Sequence, residues 1–221
     1  MVDKEKAELI HRDTGYKYYN FSNIITPNVE ICNIGNKKGI QFKNGYFYIT
    51  SPDSDFIKWF AEGLLLNPVF HLGKAEMTFE SISIEPSPFF KSPIIFKTIS
   101  PVYVKTMRDT TGGPMEWDLY PNEGKFWENI HLNLLERFYR FYCREPESSH
   151  FEIVKVIGSF KPKRIRVKNA MRRCSLFTCE VHGSKDLLKF AYDSGLGEKT
   201  AMGFGCVKVL SEEEIDNLII K

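Results

Sequence analysis

His11 and Lys17 are the residues of this sequence best suited to catalysis. A histidine can accept or donate a proton near neutral pH, and a lysine can stabilise the negative charge that develops on a reacting phosphate. These are the tasks needed to cleave RNA by attack of a ribose 2′-OH on the neighbouring phosphate. Gly15 lies between the two residues, so the chain can turn there and bring both side chains to one cleft. A single histidine at a helix end is more often a capping or surface residue, so the hypothesis depends on Lys17.

The second candidate site is a glycine-rich segment, Gly195–Gly205, near the end of the sequence. Glycine permits positive φ and a close approach of backbone or ligand, and backbone N–H groups in such loops commonly bind phosphate. The segment is not a P-loop, because Glu198 rather than glycine precedes Lys199, and Thr200 stands where the dinucleotide fingerprint requires its third glycine. A ligand loop and a turn that merely closes a sheet fit the pattern equally well. The candidate ligand-binding residues are Gly195, Gly197, Lys199, Gly203 and Gly205.

A strongly basic segment, Lys161–Arg173, precedes the glycine-rich segment. Seven of its thirteen residues are Lys or Arg and none is acidic, whereas acidic residues collect elsewhere, as in Glu212–Asp216. Such charge segregation is typical of a surface that binds a polyanion, although a run of charges is also common in a solvated hairpin. Ile165 and Val167 alternate with basic residues, as on a β-ribbon that contacts phosphates and bases. The candidate RNA-binding side chains are Lys161, Lys163, Arg164, Arg166, Lys168, Arg172 and Arg173.

The elements that must position these residues follow from the hydrophobic pattern. In the first half we expect a short helix over residues 3–12, a hairpin turn at Asn44-Gly45, a helix from Ser54 to about Leu66 capped by Asp53, and a strand over Met77–Ile84. In the second half we expect strands near residues 94–96, 151–160, 173–181 and 205–210, with helices over 123–143 and 184–193. The second half therefore has the β-α-β-β-α-β order of a complete ferredoxin-like unit.

Several of these motifs resemble one known family. The pattern Gly-apolar-Gly-Glu-Lys-x-x-x-Gly-apolar-Gly before the last strand resembles the C-terminal signature of the CRISPR-associated protein six family, the repeat-cleaving endoribonucleases of the RAMP superfamily. Leu9–His11 with Gly15–Lys17 resembles the family's catalytic segment, and Gly63–Pro68 the end of its second helix. Ser100–Val102 and Lys161–Arg164 also have counterparts, so the resemblance covers nearly the whole chain.

The resemblance implies an α+β fold of two tandem ferredoxin-like (RRM-like) domains, and the order of elements agrees with it. Pro86, Pro88 and Pro93 mark the expected junction, which gives domains 1–88 and 89–221. The family begins with a strand and with a helix that carries a catalytic tyrosine. This sequence starts inside that helical region, so the first domain is expected to lack its opening strand and the site to lack that tyrosine. A sheet with a vacant edge can pair with another molecule, which leaves a homo-oligomer open.

The function implied is metal-independent cleavage of CRISPR repeat RNA into crRNA, with 2′,3′-cyclic phosphate and 5′-OH ends. His11 and Lys17 would be catalytic, and the basic and glycine-rich segments would bind the repeat. One alternative is a weak or inactive family member that binds repeat RNA as a subunit of a CRISPR effector complex. Another is an unrelated small-ligand protein with tandem ferredoxin-like domains, which the charge segregation disfavours.

Composition limits the remaining choices. The chain has 221 residues and a net charge of +2, too small to indicate nucleic-acid binding by itself. No apolar run approaches the length of a membrane span, and the polar N-terminus does not resemble a secretory signal, so a cytoplasmic location is expected. The five cysteines are scattered without zinc-ligand spacing, and no cluster of carboxylates suggests a metal nuclease. We therefore expect free thiols, no metal and no cofactor.

Overall fold

The computed structural model describes residues 15–34, 37–72 and 75–219. The helix predicted over residues 3–12, and His11 with it, lies outside the described residues. Among the described residues, no helix is long and apolar enough to cross a membrane.

The first half of the chain consists of short antiparallel strand pairs around one helix. The pairs are β1 (Asn20–Phe21) with β4 (Ile49–Thr50), β2 (Glu30–Ile34) with β3 (Lys37–Gln41), and β5 (Val69–Leu72) with β6 (Ala75–Thr78). Helix α1 (Ser54–Leu66) lies between β4 and β5. It begins after Asp53, whose carboxylate accepts the backbone N–H groups of Asp55 and Phe56, and it ends at Asn67. The predicted bounds of this helix are confirmed.

The prediction of a hairpin at Asn44-Gly45 is wrong. β3 pairs with β2, whereas Tyr46 pairs with Ile25 in a separate bridge. Gly45 is needed for space rather than for a turn, because a Cβ built on it would lie 3.0 Å from the carbonyl oxygen of Ile25. The Asn-Gly pair is therefore not a hairpin turn here, and the segment after it pairs with Ile25 rather than with the segment before it.

The prediction of a strand over Met77–Ile84 is also wrong beyond Thr78. The N–H of Phe79 donates to the carbonyl of Pro68, and the chain before Pro68 is already helical, so strand pairing has no further partner there. Ile84 is consequently 90% exposed. Alternation of apolar and polar residues indicates a half-buried strand, but a strand also needs a neighbouring strand to pair with, which the pattern does not identify.

The second half contains the larger sheet. Its elements are β7 (Ile94–Thr98), β8 (Lys105–Thr110), β9 (Gly113–Asp118), α2 (Gly124–Tyr142), β10 (Phe151–Val167), β11 (Ala170–Gly183), α3 (Lys185–Ser194), β12 (Val207–Val209) and α4 (Glu212–Ile219). Four strands pair antiparallel in the order β10-β11-β7-β12, and α2 and α3 form the two crossover helices. This is the ferredoxin-like arrangement predicted for this half. The β8-β9 hairpin is an insertion between its first strand and first helix.

The core of the second half lies between this sheet and its two helices. The buried side chains of α2 and α3 pack against those of the sheet; they include Phe126, Ile130, Leu134, Phe138, Leu187, Phe190, Phe96, Phe177 and Val181. Cys174, Cys179 and Cys206 are buried free thiols, as predicted. Burial raises the pKa of Cys206 to about 12, so this thiol is a core residue rather than a nucleophile.

Strands β10 and β11 extend farther than the sequence predicted. They continue through the basic segment as one long ribbon that turns at Lys168 and Asn169. The ribbon is supported where Ser175 pairs with Val102, and where Ile165 and Val167 pack on a small buried cluster of Tyr103, Cys174 and Phe204. In contrast, β12 is shorter than predicted, and helix α4 was not foreseen. The division into domains 1–88 and 89–221 stays a prediction.

Candidate functional site

The glycine-rich loop, residues 195–205, packs tightly against the rest of the protein. Gly195, Gly197, Gly203 and Gly205 all have positive φ, between 74° and 83°. A Cβ on Gly197 would lie 2.5 Å from the carbonyl oxygen of Tyr103, and one on Gly203 would lie 2.8 Å from the Phe21 ring. These glycines are therefore required by internal packing, whatever the loop binds.

Many of the loop's backbone N–H groups are also used internally. The N–H of Leu196 donates to Gly205, that of Glu198 donates to Tyr103, and that of Gly205 donates to Pro101, each at 2.8–2.9 Å. The tip of the loop is a 3₁₀ turn over Thr200–Met202, preceded by Lys199 in the left-handed region at φ 57°. The closing turn considered in the sequence analysis accounts for the ends of the loop, and ligand binding at its tip stays a prediction.

Glu198 connects the loop to the inserted β8-β9 hairpin. Its carboxylate accepts the backbone N–H of Lys105 at 3.2 Å and lies 3.9 Å from the Lys105 ammonium. Burial raises the pKa of Glu198, and the neighbouring Lys105 opposes that shift. The acidic residue of the Gly-Glu-Lys motif therefore connects the loop to β8.

Arg137 of α2 was not foreseen as part of the site. Its guanidinium is buried and donates from Nη2 to the carbonyl of Ser194 at 2.6 Å, and from Nη1 to Gly195 and Gly197 at 3.1 Å each. Burial lowers the pKa of Arg137 to about 10. The signal in the sequence was an arginine between the apolar residues Leu134 and Phe138 on the buried face of an amphipathic helix.

A cleft of about 280 Å³ is lined by one residue of the predicted catalytic pair and by the glycine-rich loop. Lys17, the predicted catalytic lysine, lines it from the segment that precedes β1, and Lys199 lines it from the tip of the glycine-rich loop. Tyr16 and Arg137 also line this cleft. Burial and the nearby Glu136 carboxylate raise the pKa of Tyr16, so its phenol is protonated at neutral pH. The cleft thus places two lysines near a hydroxyl, a composition suited to a phosphate, and the carboxylate that also lines it, Glu198, is bonded to Lys105.

The basic ribbon divides into two groups of side chains. Five are exposed and project from the distal part of the hairpin: Lys161, Lys163, Arg164, Arg166 and Lys168. Lys168 lies at the turn with φ 53°. Because the apolar side chains of Ile165 and Val167 face the buried cluster with Phe204, the ribbon and the glycine-rich loop share one small core. The exposed cations therefore extend from a ribbon that is anchored beside the loop.

Arg172 and Arg173 form the second group and are bound within the protein. Arg172 makes ion pairs with Glu116 at 2.8 Å and Asp118 at 3.6 Å. Arg173 donates from Nη2 to the carbonyl of Asp118 at 2.7 Å, and its guanidinium lies about 5 Å from the rings of Trp117 and Tyr120. The sequence could not separate the two groups, because the acidic partners come from the β8-β9 hairpin.

The described residues contain no group of three or more His, Cys, Asp or Glu side chains placed to hold a metal ion. His71 and His182, for example, each lie near a glutamate on a strand, at 3.6 and 3.2 Å. Each contact joins one histidine to one glutamate and does not form a ligand set.

Comparison with known proteins identifies a family over residues 1–209. Residues 1–83 match the family model described as CRISPR-associated protein Cas6, N-terminal, and residues 84–209 match CRISPR associated protein Cas6, C-terminal. The CRISPR-associated endoribonuclease Cas6 1 of Methanocaldococcus jannaschii is 37% identical over 219 residues, which cover 97% of this chain and 82% of that protein.

Solved structures agree with the sequence comparison. The structure of a Cas6-related gene product from Pyrococcus furiosus superposes with a TM-score of 0.84 at 33% identity, covering 96% of this chain and 85% of the other. A RAMP protein that binds different RNA substrates superposes with a TM-score of 0.82 at 28% identity, covering 95% and 85%. The fold of tandem ferredoxin-like domains is therefore shared with these proteins.

Proposed function

The chain belongs to the Cas6 family of CRISPR-associated proteins and is an endoribonuclease, and on this basis we propose that it cleaves CRISPR repeat RNA without a metal ion. The observation that carries the proposal is the cleft that Lys17 and Lys199 line together. It joins the lysine chosen for catalysis to the loop chosen for RNA binding, although the two are distant in sequence.

RNA would reach this cleft along the basic ribbon. The five exposed cations of Lys161–Lys168 can neutralise phosphates, and the arginines among them can also stack on or hydrogen-bond to unpaired bases. Arg172 and Arg173 contribute by holding the ribbon against β9, through Asp118. The repeat would therefore be bound by the ribbon and by the tip of the glycine-rich loop, with the scissile phosphate in the cleft.

The proposed reaction is transesterification within the RNA. The 2′-oxygen attacks the adjacent phosphorus as the bond to the 5′-oxygen breaks, and a proton passes from the 2′-OH to a base while the leaving oxygen receives one. We assign a proton transfer to His11 and stabilisation of the phosphorane charge to the Lys17 ammonium. The products are a 2′,3′-cyclic phosphate and a 5′-OH.

Cleavage of a labelled repeat RNA in excess EDTA tests the proposal. We expect one specific cut at an unchanged rate, and the cut should disappear when the scissile nucleotide carries a 2′-deoxy substitution. A 2′-deoxy substitution one nucleotide away is the matched control and should leave the rate unchanged. Loss of cleavage in EDTA, restored by added Mg²⁺, would contradict metal independence. A cut that persists with the 2′-deoxy nucleotide would contradict attack by the 2′-OH.

A further inference from the structure

Arg137 is a buried charge with no role in the reaction proposed above. Its side chain leaves α2 and ends among the last carbonyl groups of α3 and the first of the glycine-rich loop: Ser194, Gly195 and Gly197. The carbonyl groups at a helix C-terminus lack partners within the helix and carry the negative end of its dipole. A guanidinium suits this position, because its planar fork can donate to several oxygens at once.

The contacts of Arg137 fix the backbone immediately before the residues that line the cleft. Gly197 accepts from Arg137, and the next two residues are Glu198, bonded to β8, and Lys199, which lines the cleft. A side chain from α2 and one carboxylate thus hold the start of the loop, in addition to the backbone hydrogen bonds of Leu196 and Glu198. Gly195 and Gly197, both at positive φ, have more conformational freedom than other residues, so this backbone needs contacts that restrain it.

We infer that Arg137 is a positioning residue that keeps Lys199 at the cleft where Lys17 lies. The inference rests on the proposed binding of RNA in this cleft. Arg137 acts through the carbonyls of residues 194–197 rather than through contact with RNA. Its Nε has no hydrogen-bond partner among the residues that the structure describes, so direct contact with a phosphate is the competing role that the test must separate.

Arg137→Met tests the inference, with two readouts. In the RNA-free protein, we expect backbone amides of residues 196–205 to lose at least tenfold in protection from hydrogen exchange, while those of β7 and β11 keep theirs. With repeat RNA, we expect at least tenfold weaker binding and an unchanged slope of log affinity against log salt. A residue that contacts phosphate would instead reduce that slope by about 0.7.

Two further variants complete the test. Ile130→Ala alters a buried apolar residue of the same helix and should lower global stability without a selective loss of protection in the loop. Arg137→Lys keeps the charge with fewer donors and should give intermediate protection, which provides a result if the methionine variant does not fold. Unchanged loop protection in either Arg137 variant, or a reduced salt slope, would overturn the inference. Failure of the parent chain to bind repeat RNA would instead refute the proposed function. The effect of Arg137 on the loop would still be tested, because the exchange measurement needs no RNA.

Discussion

Gly205 lies against the carbonyl of Leu196 so closely that a Cβ built on Gly205 would stand 2.0 Å from that oxygen. The N–H of Leu196 also donates to the carbonyl of Gly205 at 2.9 Å, so the two ends of the loop are joined directly. The glycines that suggested a phosphate-binding loop therefore serve first to close the loop on itself. In the closed loop, Lys199 at the tip lines the cleft.

Gly205→Ala should destabilise the chain far more than Gly158→Ala. Both glycines have nearly the same positive φ, 74° and 72°, but a Cβ on Gly158 meets nothing within 4 Å. The free energy of unfolding of the Gly158 variant should therefore fall only by the cost of a Cβ in the left-handed backbone, about 1–2 kcal/mol. Urea denaturation gives the free energies of unfolding, and equal losses for the two variants would contradict the packing that we describe at Gly205.

Helices α1, α2 and α3 were predictable from the sequence because their signals are local. Asp53 caps α1 through its own side chain, and the bounds of α2 follow from a run of amphipathic residues. The prediction of a hairpin at Asn44-Gly45 was wrong because the turn preference of an Asn-Gly pair is local, whereas the partner of a strand depends on tertiary contacts. Tyr46 pairs with Ile25, across a segment that includes a separate hairpin. The pairing of these strands could therefore be assigned only from the structure.

Substitution of Arg164 and Arg166 by Ala together should weaken RNA binding chiefly at low salt. Both side chains are exposed on the ribbon, so their loss should not unfold the protein. If each arginine neutralises one phosphate of single-stranded RNA, the slope of log affinity against log salt should fall by about 0.7 per contact. Fluorescence anisotropy over a series of salt concentrations measures the slope. An unchanged slope would mean that the ribbon is merely solvated.

Arg173→Ala is the comparison for the double variant at Arg164 and Arg166. Arg173 is in the same basic segment, but its guanidinium donates to Asp118 and lies beside Trp117 and Tyr120. We expect it to lower the free energy of unfolding, by about 1 kcal/mol, because partly buried groups at Trp117–Tyr120 lose their partner. The salt slope should change less than in the double variant. A larger slope change than in that variant would place Arg173 among the RNA contacts.

The candidate site shows the same limit of sequence reasoning. Lys17 and the glycine-rich segment were predicted from residue type, spacing and family resemblance, and the structure brings Lys17 and Lys199 to one cleft. Arg137 was missed because it lies on a helix whose pattern indicates only core packing. Arg172 and Arg173 were grouped with the exposed cations because their partners, Glu116 and Asp118, lie on a separate hairpin.

Asp193→Asn should change how stability depends on pH. Asp193 is buried, and its burial raises the pKa of the carboxyl group, an effect that Lys189 partly opposes. Because the folded-state pKa lies above that of the unfolded chain, the parent protein loses stability as the pH rises through this interval. The variant lacks this loss. The free energy of unfolding of Asp193→Asn minus that of the parent should therefore increase from pH 3 to pH 7, and a decrease would show that the pKa is lowered.

Lys199→Gly should separate stability from RNA binding. Lys199 has φ 57°, which is costly for a residue with a Cβ, so glycine should raise the free energy of unfolding by roughly 1 kcal/mol. The same change removes a cation from the cleft and should weaken RNA binding. Cys143→Gly is the matched control, since exposed Cys143 has φ 52° at the end of α2 and should gain similar stability with unchanged RNA affinity. Equal RNA affinity in both variants would exclude Lys199 as a contact.

Lys17→Ala and His11→Ala should each lower the rate of cleavage more than they lower RNA affinity. Loss of a group that stabilises developing charge typically costs about 10²–10³-fold in rate, and loss of a general acid or base costs about 10²–10⁴-fold. Single-turnover cleavage at saturating protein measures the rate without a contribution from binding. Lys58→Ala, which removes an exposed lysine of α1 outside the cleft, is the control and should cleave like the parent. If Lys17→Ala also cleaves like the parent, the cleft that this residue lines is not the place where the phosphodiester bond is broken.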